Sequence, residues 1–95
     1  MSCYVDPLYN TQPKKNWPYK RACHLFADSI EELHEMAGLV GVARSNLQYR
    51  ADFPHYDLTA NKRLQAIARG AVQVERDVMV DFVRKLRNKS ELTDN

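Results

Sequence analysis

The chain has 95 residues, 44% of them hydrophobic and 27% charged, with a formal net charge of +2 at pH 7. This length allows one small domain with little room for a second core, and the composition is that of a globular protein rather than a disordered one. No apolar run approaches the length of a membrane span, and so weak a net charge gives little reason of its own to expect nucleic acid.

Met1-Ser2-Cys3-Tyr4 has no signal-peptide pattern. Cys3 and Cys23 form no CxxC pair and are read as reduced, buried thiols, which makes the cytoplasm the expected location. Ser2-Cys3-Tyr4-Val5 is β-prone and is stopped by Asp6-Pro7, a first strand. Residues 7–20 hold Pro7, Pro13 and Pro18 and lack helical periodicity, so they read as a long loop. That loop is basic and aromatic, with Lys14, Lys15, Trp17, Tyr19 and Lys20. Cys23 to Ala27 reads as a second strand, with His24 and Phe26 on one side.

Ser29 and Glu32 have capping-box spacing and open a helix carrying Ile30, Leu33, Ala37 and Val40 as an apolar stripe, with Gly41 as its stop. Residues 42–52 fit a short helix or an irregular strand. Pro54 makes His55 to Leu58 extended, so His55 and Asp57 point one way and Tyr56 the other. Thr59 caps a helix over 60–69, ended by Gly70. Ala71 to Val74 reads as a strand. Arg76 to Asn88 reads as an amphipathic helix with Val78, Phe82 and Leu86 at four-residue spacing.

Strands alternating with helices predict an α/β fold, a small, mostly parallel sheet of three or four strands packed with about three helices. The expected organisation is an α/β domain over 1–75 and a C-terminal helix over 76–89, followed by a frayed tail over 90–95. That helix packs on the same domain or forms a homodimer face.

YVDP (4–7), CHLFADSIEELHEMAGLVG (23–41), Arg44, Gln48 and HYDLTANKRLQAIARGAV (55–72) resemble a family of short phage and bacterial proteins catalogued as domain of unknown function 4031. The resemblance covers roughly residues 2–75 and leaves the C-terminal helix outside. The family supplies no activity. It implies a phage origin, with the host cytoplasm as location. It also implies that His24, Asp28, His34, Gln48, His55, Asp57, Lys62 and Arg63 fall in recurring segments. At Leu47, where the family commonly has an aromatic residue, this chain departs from it.

The residues point to phosphate. A helix N-terminus carries unpaired N–H groups and partial positive charge, so Lys62 and Arg63 in the first turn are a mismatch that an anion between them would relieve. The expected ligand is a nucleotide or a nucleic-acid phosphate, bound where strand ends meet helix N-termini. Lys62, Arg63 and Thr59 would hold phosphate. His24, Asp28, His34, Arg44, Gln48, Tyr56 and Lys20 are further candidates, with Trp17 or Tyr19 covering the ligand. The plainer reading makes the two cations a solvated face and the histidines packing residues.

An alternative is a phosphodiester-cleaving enzyme, a small nuclease or nucleotide phosphodiesterase, with His55 as general acid or base oriented by Asp57. A second alternative is a non-catalytic protein-interaction module. No cofactor is expected. A divalent metal is compatible with His24, Asp28, His55, Asp57 and Asp6, but no compact metal-ligand spacing occurs, so no metal residues are assigned.

Overall fold

The computed structural model describes residues 2–50 and 53–93, with Arg50 and residues 87–93 as backbone alone. The strands are Cys3–Val5 (β1), Tyr9–Asn10 (β2), Arg21–Ala27 (β3), Gln48–Arg50 (β4), Phe53–Leu58 (β5) and Val72–Gln73 (β6). The helices are Ile30–Leu39 (α1), Ala60–Ala68 (α2) and Arg76–Thr93 (α3). The ambiguous stretch after α1 resolves into a 3-10 turn, Arg44–Asn46, followed by β4. The last two residues of that stretch, Ala51 and Asp52, lie outside the described residues.

The helix boundaries follow local chemistry. The Ser29 hydroxyl accepts from the Glu32 amide, as an N-cap does, and donates to the Glu32 carboxylate, so the residues with capping-box spacing pair through the hydroxyl. Gly41 leaves α1 at φ 78°, a left-handed conformation that glycine adopts without a Cβ penalty. Thr59 accepts the Lys62 amide and caps α2. α3 runs to Thr93, beyond the Asn88 expected from its apolar spacing.

The sheet corrects the expectation of a mostly parallel arrangement of three or four strands. Among the described residues there are six strands, in the order β4-β5-β3-β1-β6, with β2 pairing further along β3. Only the β1–β6 pairing is parallel; β1–β3, β2–β3, β3–β5 and β4–β5 are antiparallel. The reason lies in where the crossovers land. α1 links β3 to β4, and α2 links β5 to β6. In each case the two strands run the same way, but hairpin partners occupy the places between them. The run from β3 to β6 thus follows the order of a split β-α-β unit, with β1 inserted between β3 and β6.

The two sheet faces differ. On one, α1 and α2 cover Cys3, Val5, Cys23, Leu25, Tyr56 and Leu58, which cluster with Leu33, Met36, Ala37, Val40 and Ala66. Burying such a side chain contributes roughly 1.5–3 kcal/mol. The other face carries Tyr4, Phe26 and Phe53, against which Phe82 of α3 packs. The same face continues into His24, His55 and Asp57, as strand alternation requires.

Cys3 and Cys23 are both buried free thiols. Burial, reinforced by Glu32, pushes the Cys3 thiol up to about 11; burial, reinforced by Asp6, pushes Cys23 up to about 12. Folding therefore favours the protonated thiols. That stability is fully present below the ordinary thiol value of 9.0 and is lost as pH rises through 11 to 12. At pH 8 the native protein should react with a disulfide reagent on the order of 100-fold more slowly than the denatured chain, because the thiolate is the nucleophile. Equal rates in the two states would contradict this.

Candidate functional site

Asp6 begins the site. β1 ends its pairing at Val5 opposite Leu25, and β2 resumes at Tyr9 opposite Ala22. Residues 6–8 thus face residues 23–24 across the ladder, one residue too many, which is a β-bulge. The bulge turns the Asp6 carboxylate onto its neighbour strand. Asp6 Oδ1 accepts the His24 amide at 2.6 Å, and Asp6 Oδ2 lies 2.7 Å from His24 Nδ1. A carboxylate is an acceptor, so the bond assigns the proton of the His24 ring to Nδ1 and, in the neutral ring, the lone pair to Nε2. Asp6 is 2% exposed, so these bonds form away from water.

β5 supplies the facing groups. His24 pairs in register with Asp57, which brings His55 beside it; the two imidazole centroids are 5.1 Å apart. His55 Nδ1 lies 2.9 Å from the Phe53 carbonyl oxygen, which makes Nδ1 the donor, and its ring stacks on Phe53. His55 Nε2 lies 3.6 Å from Asp57 Oδ1. From β4, Gln48 donates its side-chain amide to Asp57 Oδ2 at 2.6 Å. One atom from each of His24, His55 and Asp57 falls within 4.8 Å of the others, an N,N,O set with metal-ligand chemistry. Tyr9 stacks on His24 from the bulge side.

Two adjoining hollows open beside this cluster. One, of about 510 Å³, is lined by Trp17, Gln48, Asp57, Thr59 and Lys62. The other, of about 330 Å³, is lined by Tyr9, Lys14, Trp17 and Asp57. Trp17 and Asp57 border both. Trp17 packs edge-on against Tyr19, and its buried indole Nε1 has no acceptor among the described residues.

The family model described as "Protein of unknown function (DUF4031)" matches residues 3–86. The chain belongs to the DUF4031 family. The match takes in Asp6, His24, Gln48, His55 and Asp57, the whole polar cluster. It also reaches into α3, which corrects the expectation that the C-terminal helix lay outside the DUF4031 resemblance. No curated protein and no solved structure matches the chain.

Of the residues singled out from the sequence, the DUF4031 fold gathers His24, Gln48, His55 and Asp57 into one cluster, with Trp17, Thr59 and Lys62 on the cleft beside it. The others sit elsewhere. Asp28 accepts from the Ser2 amide and the Tyr4 hydroxyl and fastens the N-terminal strand. His34 bonds the hydroxyl of buried Tyr56, on the helix-covered face. Arg44 is exposed on the 3-10 turn. Lys20 is exposed on a separate hollow beside Thr59 and Lys62. The cations of α2 have partners within the fold: Lys62 Nζ donates to the Val40 carbonyl at 2.6 Å, and Arg63 Nε to the Asp6 carbonyl at 2.9 Å. Among the described residues, no helix is long and apolar enough to cross a membrane.

In the sequence Asp6 stands out as a strand stop and as a chemically suitable ligand, and Tyr9 does not stand out. The signal for Asp6 was present. An acidic residue before a proline at a strand end is where a ladder bends, and a carboxylate there satisfies the amides that the bend leaves over.

Proposed function

We propose that this protein binds a phosphate-bearing ligand, a nucleotide or a nucleic-acid end, in the cleft that Trp17 and Asp57 border. The observation that carries the reading is Trp17. An aromatic face and an indole donor without an acceptor among the described residues stand between Lys14 on one side and Lys62 on the other. Stacking of a base on an aromatic ring, with cations taking the phosphate, is the sequence-tolerant mode of nucleotide capture. Lys62 spends one ammonium proton on Val40, and an ammonium has three. Thr59 and the amides that follow it add the anion-favouring end of α2.

A second reading, phosphodiester cleavage, is favoured by the two imidazoles 5.1 Å apart on one sheet face. General acid–base cleavage needs one group to take a proton and another to give one. His24 is held by Asp6, and His55 faces Asp57. Lys62 would stabilise charge building on the phosphoryl oxygens.

Trp17 is the only tryptophan, so its fluorescence reports the cleft directly. Titration with mononucleotides and short oligonucleotides should quench or shift the emission saturably. Lys14→Ala should weaken binding by about tenfold, the loss of one phosphate contact. Flat emission with every nucleotide tested would overturn the binding reading. Hydrolysis of a nitrophenyl phosphodiester that disappears in His24→Gln would select the cleavage reading.

A further inference from the structure

We infer that His24, His55 and Asp57 form a binding site for a divalent first-row transition metal ion, with Asp6, Gln48 and the Phe53 carbonyl as its supporting shell. This goes beyond the ligand reading and does not depend on it, since an ion would bind with the cleft otherwise empty.

The ligand types fit first. Two imidazole nitrogens and one carboxylate oxygen suit zinc, iron, cobalt or nickel better than the oxygen-seeking magnesium or calcium. Three protein ligands leave positions for water or substrate, the pattern of a reactive rather than a purely structural centre. His24 and Asp57 are about a quarter exposed at their side chains, so an ion there would meet solvent at the cleft floor.

The supporting shell is the stronger argument. Metal-binding histidines donate their second ring N–H to a carboxylate or a backbone carbonyl, which fixes tautomer and orientation. Both histidines here do so: His24 Nδ1 to Asp6, and His55 Nδ1 to the Phe53 carbonyl. The third ligand, Asp57, is held in turn by Gln48. The groups that aim the three candidate ligands, two acceptors and one donor, come from three different places, the bulge, the start of β5 and β4.

The distances agree with an ion between the groups. Ligands about 2.1 Å from a tetrahedral centre stand about 3.4 Å from one another. The His55–Asp57 separation of 3.6 Å is longer than a hydrogen bond and close to that edge. The widest separation within the trio, at most 4.8 Å, closes with about 1.4 Å of side-chain adjustment or less. With its proton on Nδ1, the neutral His55 ring would present Nε2 on the side of Asp57 Oδ1, where one cation could take both atoms as ligands. The ion would also answer a difficulty of the cleft: Asp57 on its floor repels a phosphate, and a divalent cation inverts the local charge.

The test is a titration of the tag-free full-length chain, stripped with a chelator, using ZnCl2 in calorimetry and CoCl2 in absorption spectroscopy, with no phosphate present. The expected result is one zinc per chain and visible cobalt bands of nitrogen and oxygen ligation. His24→Gln and Asp57→Asn should each weaken zinc binding at least tenfold. Asp6→Asn, a positioning change, should weaken it by about 10- to 100-fold. His55 is 4% exposed, so the partly exposed His24 and Asp57 carry the test, and each variant is checked for native near-ultraviolet circular dichroism. Absence of stoichiometric binding, or binding unchanged in both well-folded variants, overturns the site. A sulfur-to-cobalt charge-transfer band would place the ion on Cys3 or Cys23 and overturn it equally. None of these outcomes bears on Trp17 quenching by nucleotides, so the two proposals fail separately.

Discussion

Replacing Asp6 by alanine is expected to lower the folding stability of this DUF4031 protein by about 3 kcal/mol. Asp6 is almost wholly buried and accepts two donors of His24, the backbone amide and Nδ1, with its two oxygens. Alanine leaves both donors without their acceptor in a place where water does not replace it. An orphaned buried donor costs about 1–3 kcal/mol, and bonds to a charged group stand at the upper end of that range. The bulge would relax as well, because the carboxylate is what holds β1 against β3 where the ladder is interrupted. Asp6→Asn keeps one acceptor oxygen and should cost roughly half as much. Urea denaturation followed by far-ultraviolet circular dichroism measures both. A loss below about 1 kcal/mol for Asp6→Ala would mean that the bulge is held by β2 and the Arg63 contact instead. Arg63 reaches only the Asp6 backbone carbonyl, so that contact survives the substitution.

How much of this was legible beforehand depends on the range of the interaction concerned. Alternation in residues 23–27 and 53–58 put His24 on one face of its strand, and His55 with Asp57 on one face of theirs. Pairing then made those faces the same. Ser29, Gly41 and Thr59 ended or began helices for local reasons, and all three do so in the fold. Strand order is not local. β5 enters between β3 and β4, and β1 between β3 and β6, through contacts that no sequence window contains. Lys62 and Arg63 do call for a negative partner at the start of α2. In the fold each finds one in a backbone carbonyl. Val40 lies at the C-terminal end of α1, where carbonyls lack intrahelical donors and a cation is favoured. A helix N-terminus next to another helix's C-terminus satisfies the same electrostatics as a phosphate, and sequence spacing cannot tell the two apart.

Phe82→Ala is expected to cost about 2–3 kcal/mol, less than the 3–5 typical of a fully buried phenylalanine because Phe82 is only partly buried. Its ring centroid lies 4.9 Å from that of Phe26, 6.0 Å from Tyr4 and 6.5 Å from Phe53. Phe26 is 1% exposed and Phe53 6%, on the sheet face that α1 and α2 leave uncovered. Without the Phe82 ring, both meet water, and α3 loses its aromatic anchor on the domain. Val78 and Val80 do not compensate, since both are exposed on the helix. The loss should spread toward the site, because Phe53 stacks on His55 at 4.9 Å and its carbonyl fixes the His55 ring. The variant should therefore show a lower urea midpoint, faster proteolysis within residues 76–86 and broadened His55 ring signals in NMR. A valine at position 78 or 80 changed to alanine should do none of these. If Phe82→Ala left the midpoint unchanged, α3 would contribute nothing to the domain, and a loss that grew with protein concentration would assign its apolar face to an interface between copies. If instead it lowered stability equally at micromolar and hundred-micromolar protein, the helix would be part of the monomer's own second layer, and the polar cluster would rest on it.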